Sequence, residues 1–296
     1  MIKHIVINGG GPTGLISYGA LKHLFKNNFV NIENIKSIYG TSIGGIFGTM
    51  ISLKYDWDTL DDYLMKRPWE KVFSINPEDF FNLFYKKGLF SFNVVQEFLG
   101  TLLEAKDLSI DITLKEFYDY TNIDHHYFTV EADTLNRIDL SHKTHPTLSL
   151  IKALEMTTAF PIFCKPVFWE NKCYIDGGLL DNYPVKLCIE NEKCDKTEIL
   201  GIRNKYSLNS KPNIQENMNL IEYLQLFLGN MITKLQSENI LEDFLPYEVK
   251  CFCDNNVTNY TEWVNYITDS NKRKELIFYG EECSDLFLKY HKQLSS

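Results

Sequence analysis

No two of the seven cysteines in this 296-residue chain form a CxxC pair, so a zinc ribbon and a thioredoxin-like motif both lack their spacing. The one CxC, Cys251 and Cys253, reads as alternation along a strand rather than a metal pair. An odd set of thiols fits a reducing compartment. Positive charge is also scarce: 30 Lys plus Arg against 39 Asp plus Glu give a net charge of -9, spread over both halves of the chain. That balance argues against capture by nucleic acid or by a strongly anionic membrane. No window approaches the 18 consecutive apolar residues of a membrane span. The opening MIKHIVINGGG carries too short an apolar run for a signal peptide. Cytoplasmic residence, with at most peripheral membrane contact, is the resulting expectation. Nothing repeats at a fixed period and no stretch has the composition of a flexible linker, so one domain over 1–296 is expected.

What is present is ordered-protein composition, 44% hydrophobic and 23% charged. Ile5, Val6 and Ile7 form a run suited to a strand buried on both faces. Glycines and Pro12 break it, and Leu15, Tyr18, Leu21 and Phe25 then follow helical spacing. A second strand is predicted over Ile35–Tyr39, ending at Gly40, with Ile43, Phe47, Met50 and Ile51 restoring the helical period. Strand-helix-strand-helix at this density points to a parallel sheet covered by helices. Between residues 56 and 120 the pattern changes to a helical, cap-like insertion. Its segment 80–98 holds seven aromatics, which read either as core anchors or as an apolar cap over a cleft with Lys86 and Lys87 at the rim. Later expectations are a strand over Tyr127–Ala132, a helix over Ser149–Met156 and a hairpin turning at Glu170-Asn171-Lys172. A strand over Glu198–Ile202 and another over Tyr247–Phe252 follow. A helix near 215–237 is expected to carry Ile221, Leu224, Leu228, Met231 and Leu235 on one face, and the last helix Leu276, Tyr279, Cys283 and Leu286.

Two glycine-framed motifs and one acidic loop carry the chemistry. Gly40-Thr41-Ser42-Ile43-Gly44 has the GxSxG form of a nucleophile elbow, between a predicted strand and a predicted helix. Gly40 and Gly44 let the chain turn sharply, and the helix N-terminus beside Ser42 favours developing negative charge. Gly9-Gly10-Gly11-Pro12-Thr13-Gly14 leaves backbone N–H groups of Gly9, Gly10 and Gly11 to converge on an anion. That anion is an acyl-transfer oxyanion or, through the GxGxxG spacing, a nucleotide pyrophosphate. The nucleotide reading wants an acidic residue at the end of the second strand, where the elbow stands instead. Asp176-Gly177-Gly178 follows a predicted strand, and Asp176 is the candidate base. A carboxylate of ordinary pKa near 3.9 is a poor base at neutral pH, so a dry pocket would have to raise it. The rival base is His291 in a Ser-Asp-His order, but it lies at the end of an amphipathic helix near the C-terminus.

Together these segments resemble the patatin-like phospholipases, lipid acyl hydrolases that use a serine–aspartate dyad. The glycine loop is similar to that family's oxyanion hole, Gly40–Gly44 to its nucleophile elbow, and Asp176-Gly177-Gly178 to its aspartate motif. Ala132–Asn136, Thr157–Pro161 and Asp181–Pro184 also resemble family segments, so the likeness covers roughly residues 3 to 190, with the part from about 205 to 296 divergent. The resemblance implies a three-layer α/β/α sandwich around a mostly parallel sheet. It implies Ser42 as nucleophile, Asp176 as base, hydrolysis of lipid esters through an acyl-enzyme at a membrane or droplet surface, and no metal or other cofactor. One departure is Thr13, where the family commonly has Arg or Lys, which weakens an inference about phosphate head groups more than one about ester cleavage. The other functional readings are a non-catalytic lipid-binding or interaction module that keeps the fold, and nucleotide binding through the glycine loop.

Overall fold

Strand β1 (His4–Ile7) starts the sheet and is buried along its whole length. In the computed structural model, which describes residues 1–73, 85, 87–90, 93–206, 213–238, 245–253 and 260–295, it pairs in parallel with β2 (Ser37–Thr41) on one side. On its other side it pairs in parallel with β9 (Ile199–Tyr206). Strand β10 (Tyr247–Cys253) extends the sheet beyond β9, and β4 (Asp124–Glu131) extends it beyond β2, both in parallel. Antiparallel strands complete the far side: β5 (Asn136–Leu140) and β8 (Lys172–Asp176) on β4, and β7 (Val167–Trp169) on β8. The eight-stranded order is β10-β9-β1-β2-β4-β8-β7, with β5 off that path. A separate parallel pair joins β3 (Gly88–Phe90) to β6 (Ile162–Cys164).

Strand alternation sorts the core into layers. Ile5, Ile7 and Ile38 face helices α1 (Gly14–Lys26) and α2 (Ile43–Ser52), together with Leu21, Leu24 and Ile51. Val6, Tyr39 and Phe128 face the opposite way, onto Val185 and Cys188 of α8 (Val185–Glu192). A larger cluster on the α2 side gathers helices from the middle of the chain. These are α3 (Trp57–Lys66), α4 (Trp69–Val72), α5 (Asn93–Glu104), α6 (Leu114–Thr121) and α7 (Leu150–Thr158). Phe47, Leu60, Leu99, Phe117 and Leu154 meet there. Their starts are capped locally: Asp56 accepts from Thr59 N at 2.8 Å, and Thr113 with Glu116 forms a reciprocal box at α6. Three helices follow in the divergent part: α9 (Leu220–Glu238), α10 (Tyr260–Thr268) and α11 (Ser270–Ser295).

Several local expectations shift. The β7–β8 turn is two residues, Glu170 and Asn171, both with positive φ, and Lys172 already pairs with Trp169. Cys251 and Cys253 are both buried on one side of β10, as alternation requires, and all seven cysteines are free. On α11, Leu276, Tyr279 and Cys283 pack on the core, but Phe287 does so in place of Leu286, which is exposed. On α9 the expected apolar face is mostly turned to solvent. Of the aromatic-rich segment, Phe80, Phe81, Phe84, Lys86 and Phe92 lie outside the described residues. Phe98 stacks on Trp69 at 4.7 Å, and Lys87 lies over the Phe168 ring.

Candidate active site

The parallel strands β1 and β2 end at the same sheet edge, so the loops that follow them are neighbours. Thr41 is level with Phe128 of β4, and the next β4 residue, Thr129, is level with Asp176 of β8. Ser42 and Asp176 therefore leave the sheet at one height, on either side of β4. Ser42 adopts φ 54° and ψ -127° at the start of α2, the strained turn of an elbow. The flanking glycines are required by close approach: a Cβ on Gly40 would lie 2.6 Å from Gly45 N, and one on Gly44 would run into Ile7 O. A Cβ on Gly9 would lie 3.0 Å from Ser42 Cβ, which sets the glycine loop directly beside the serine.

Asp176 is 2% exposed. Its carboxylate accepts from Gly178 N at 2.7 Å, and the Ser42 side chain is within hydrogen-bonding reach. Burial drives its pKa up to about 7, and the bonds from Ser42 and Gly178 offset only part of that rise. Gly177 fits tightly under Phe128 O, where no side chain could be placed.

The three glycines expected to bind an oxyanion separate into two kinds. Gly9 N is donated to Asn182 O at 3.1 Å, and Asn182 Nδ2 returns a bond to Gly9 O at 3.1 Å. Gly9 thus joins the glycine loop to the segment after the aspartate. The N–H groups of Gly10 and Gly11 have no acceptor among the described residues. Thr13 Oγ1 donates to Gly10 O at 2.8 Å, so this residue braces the loop from within. Asn8 and Asn204 exchange bonds at 3.1 and 3.3 Å, and Asn204 Nδ2 reaches Thr13 O at 3.0 Å.

Thr157 is a further contributor. Its fully buried hydroxyl accepts from Ser42 N at 2.9 Å and donates to Phe128 O at 2.5 Å. It ties the elbow to the strand that also carries Asp176's partner. Trp263 of α10 covers Gly11, its indole occupying the space a Cβ would need, and packs in a tilted arrangement on Phe163 with ring centroids 4.5 Å apart. Thr157 and Asn182 lie in segments whose family likeness was visible in sequence, although their roles were not. Trp263 carried no sequence signal.

An apolar cavity of about 130 Å³ opens at Ser42 and Gly11, walled by Leu15, Phe47, Trp69, Phe98 and Trp263 among others. His291 is elsewhere, packed 4.3 Å from Phe287 and 5.2 Å from Tyr247. A possible cation-binding trio, His4, Cys194 and Glu198, has ligand atoms within 4.8 Å of one another. It sits where β1 begins, at the opposite sheet edge, and Glu198 is ion-paired with Lys3. No described helix is long and apolar enough to cross a membrane.

Comparison with known proteins gives a consistent relationship. Residues 5–189 match the family model described as patatin-like phospholipase. An uncharacterised protein of Acanthamoeba polyphaga mimivirus is 27% identical over 196 residues, covering 66% of this chain and 64% of its own length. The "Probable lipid hydrolase 463L" of Invertebrate iridescent virus 6 is 26% identical over 193 residues, covering 64% and 63%. The matched region thus spans just under two thirds of these curated relatives. Among solved structures, VipD from Legionella pneumophila superposes with a TM-score of 0.52 at 14% identity, covering 93% of this chain and 66% of that one, a likeness of fold.

Proposed function

The chain belongs to the patatin-like phospholipase family, and on that premise we propose that it is a lipid acyl hydrolase in which Ser42 and Asp176 form the catalytic dyad. The observation that carries this reading is the dry aspartate: a carboxyl group buried beside the elbow serine, with its pKa lifted to about 7. A base poised near neutrality accepts a proton where an ordinary aspartate would not.

The steps follow from the groups in place. Asp176 takes the Ser42 hydroxyl proton as the oxygen attacks the ester carbonyl. The N–H groups of Gly10 and Gly11 hold the oxyanion, a contribution on the order of a few kcal/mol per donor. Asp176 returns the proton to the departing alcohol, leaving an acyl-enzyme. Water then attacks the acyl carbon while Asp176 accepts its proton, and the proton passes to Ser42 Oγ as the fatty acid leaves. The acyl chain is accommodated by the apolar wall of Leu15, Phe47, Trp69 and Phe98. Contact with the lipid surface is peripheral.

Nucleotide binding at the glycine loop is disfavoured by the same geometry. Trp263 packs over Gly11, and Gly9 is bonded to Asn182. The test is fluorophosphonate labelling and release of acid from phosphatidylcholine and short-chain esters. Wild type is expected to label and turn over. Ser42→Ala should do neither, and Asp176→Asn should lose roughly 1,000-fold or more in turnover, as for other dissected catalytic units. Near-full turnover in either variant would remove the dyad.

A further inference from the structure

Three of the seven cysteines gather where α11 lies against the last strand, β10. Cys251 and Cys253 are buried on one face of β10, and Cys283 packs from α11 on the core that contains them. The contact is fixed one helical turn earlier: the Tyr279 hydroxyl donates to Phe252 O at 2.8 Å, which holds residues 279–283 against the strand. The side chains of Cys251 and Cys283 are within hydrogen-bonding reach of each other, and both are free thiols. Spacing selects this pair over the CxC. Two residues apart on an extended strand, Cys251 and Cys253 stand about 6.7 Å from each other with parallel side chains. A disulfide needs Cβ atoms about 3.8 Å apart, which that spacing forbids. Cys283 faces Cys251 from another element and is not bound by the strand rise.

The two thiols differ in setting. Cys251 is fully buried, and its hydrogen bond with Cys283, together with burial, pushes its pKa well above the usual thiol value. Cys283 is half-buried and lines an open groove of about 890 Å³ beside Phe252 and Tyr279. The bond with Cys251, aided by the Tyr279 hydroxyl, holds its pKa below the usual value against burial and the charge of Glu282. The thiolate therefore forms on the residue that solvent reaches, with a second thiol behind it. An accessible, acidified cysteine next to a partner thiol is the arrangement that a peroxide oxidises. Charge narrows the oxidant further. Among the described residues, the groove carries the carboxylates of Glu248, Glu281, Glu282 and Asp285 against one lysine, Lys250. That lining disfavours an anionic disulfide and admits a small neutral peroxide.

We propose that Cys251 and Cys283 are a peroxide-oxidised dithiol site, closing to a disulfide that ties α11 to β10. The Cys283 thiolate attacks one oxygen of hydrogen peroxide: an S–O bond forms, the O–O bond breaks, and the departing hydroxide takes up the proton that Cys283 released. The Cys251 sulfur then attacks the Cys283 sulfenic acid. An S–S bond forms, the S–O bond breaks, and the hydroxyl leaves as water with the Cys251 proton. The two thiols lose two electrons in all, and the peroxide is reduced to two waters. Neither cysteine lines the Ser42 cavity, so the site stands apart from the hydrolase reading. The test treats the reduced 296-residue chain with hydrogen peroxide and maps every thiol by mass spectrometry. Wild type should lose two hydrogens and yield one linked peptide pair, Cys251 with Cys283, that dithiothreitol separates. In Cys283→Ser, loss of the Cys251 thiol should slow about tenfold or more. Cys251→Ala should stop at a sulfenic acid on Cys283 that dimedone captures. Melts of the reduced variants check folding, and Cys283→Ser, altered at the groove, decides the matter if the buried Cys251→Ala does not fold. A linked pair using another cysteine, a Cys283 that stays reduced while other thiols oxidise, or sulfinic acid without a disulfide overturns the proposal. So does wild-type oxidation of Cys251 in Cys283→Ser.

Discussion

Asp176 illustrates how one side chain couples catalysis to stability. Its folded-state pKa is raised from 3.8 to about 7 by burial. The favourable contribution of the protonated form is therefore complete below about pH 4 and is lost as pH rises through 7. Above that point the buried charge costs up to roughly 4 kcal/mol relative to an unperturbed carboxylate. Asn at this position carries no charge at any pH. Asp176→Asn is thus expected to equal wild type in stability near pH 4 and to exceed it by a few kcal/mol near pH 8, read by urea unfolding at both. Activity should show the converse, with kcat/KM climbing through an apparent pKa near 7 as the base ionises. A profile flat from pH 5 to 8 would mean that the carboxylate stays ionised at low pH. Thr157 and Asn182 act alongside it without changing charge. Each bridges two segments, so the separation of Ser42, Gly9 and Asp176 is set by hydrogen bonds of 2.9 and 3.1 Å.

At the scale of elements, α1 and α11 approach each other closely where they cross. A Cβ on Gly19 would strike Ile277 O, and one on Gly280 would strike Ile16 O. Lys22 lies between Asp61 of α3 and Glu281 of α11, at 2.5 and 2.8 Å, and Ser284 donates to Ala20 O at 3.0 Å. Neither helix can retreat without opening the core around Leu21 and Leu24. Gly280→Leu is expected to destabilise the fold by about 3 kcal/mol or more through overpacking, whereas Leu286→Ala, at an exposed position of the same helix, should change it by under about 1 kcal/mol. Thermal melts of the pair check this, and similar Tm values would show that the crossing yields. The glycine spacing alone announced none of this, because a close approach is a property of two segments far apart in sequence.

At the scale of the whole molecule, the part beyond the family match is built into the sheet. β9 lies against β1 on the side away from β2, and β10 covers β9. Asn204 of β9 also braces Asn8 and Thr13 of the glycine loop. Removing residues 197–296 would leave β1 as a bare edge and expose Ile5, Ile7, Leu21 and Leu24. A chain ending at residue 196 is therefore expected to be insoluble or to lack a cooperative melt. A soluble truncated form with a sharp thermal transition would show that the matched region folds without its tail.

The first two strand–helix units, the strand that became β4, the β7–β8 hairpin, the elbow at Ser42, the glycine loop and the candidate aspartate were legible from local spacing, because turns and periodicity are written in neighbouring residues, whereas the short strands β3, β5 and β6 were not foreseen. The requirement for a dry pocket around Asp176 was legible too, but not its fulfilment. Desolvation depends on every atom that excludes water, and those come from β4, α7 and the loops together. The same reason hid the separation of Gly9 from Gly10 and Gly11, the covering of Gly11 by Trp263 and the outward turn of α9. Each is decided by which distant surface a segment meets, and that partner is chosen only when the chain closes on itself.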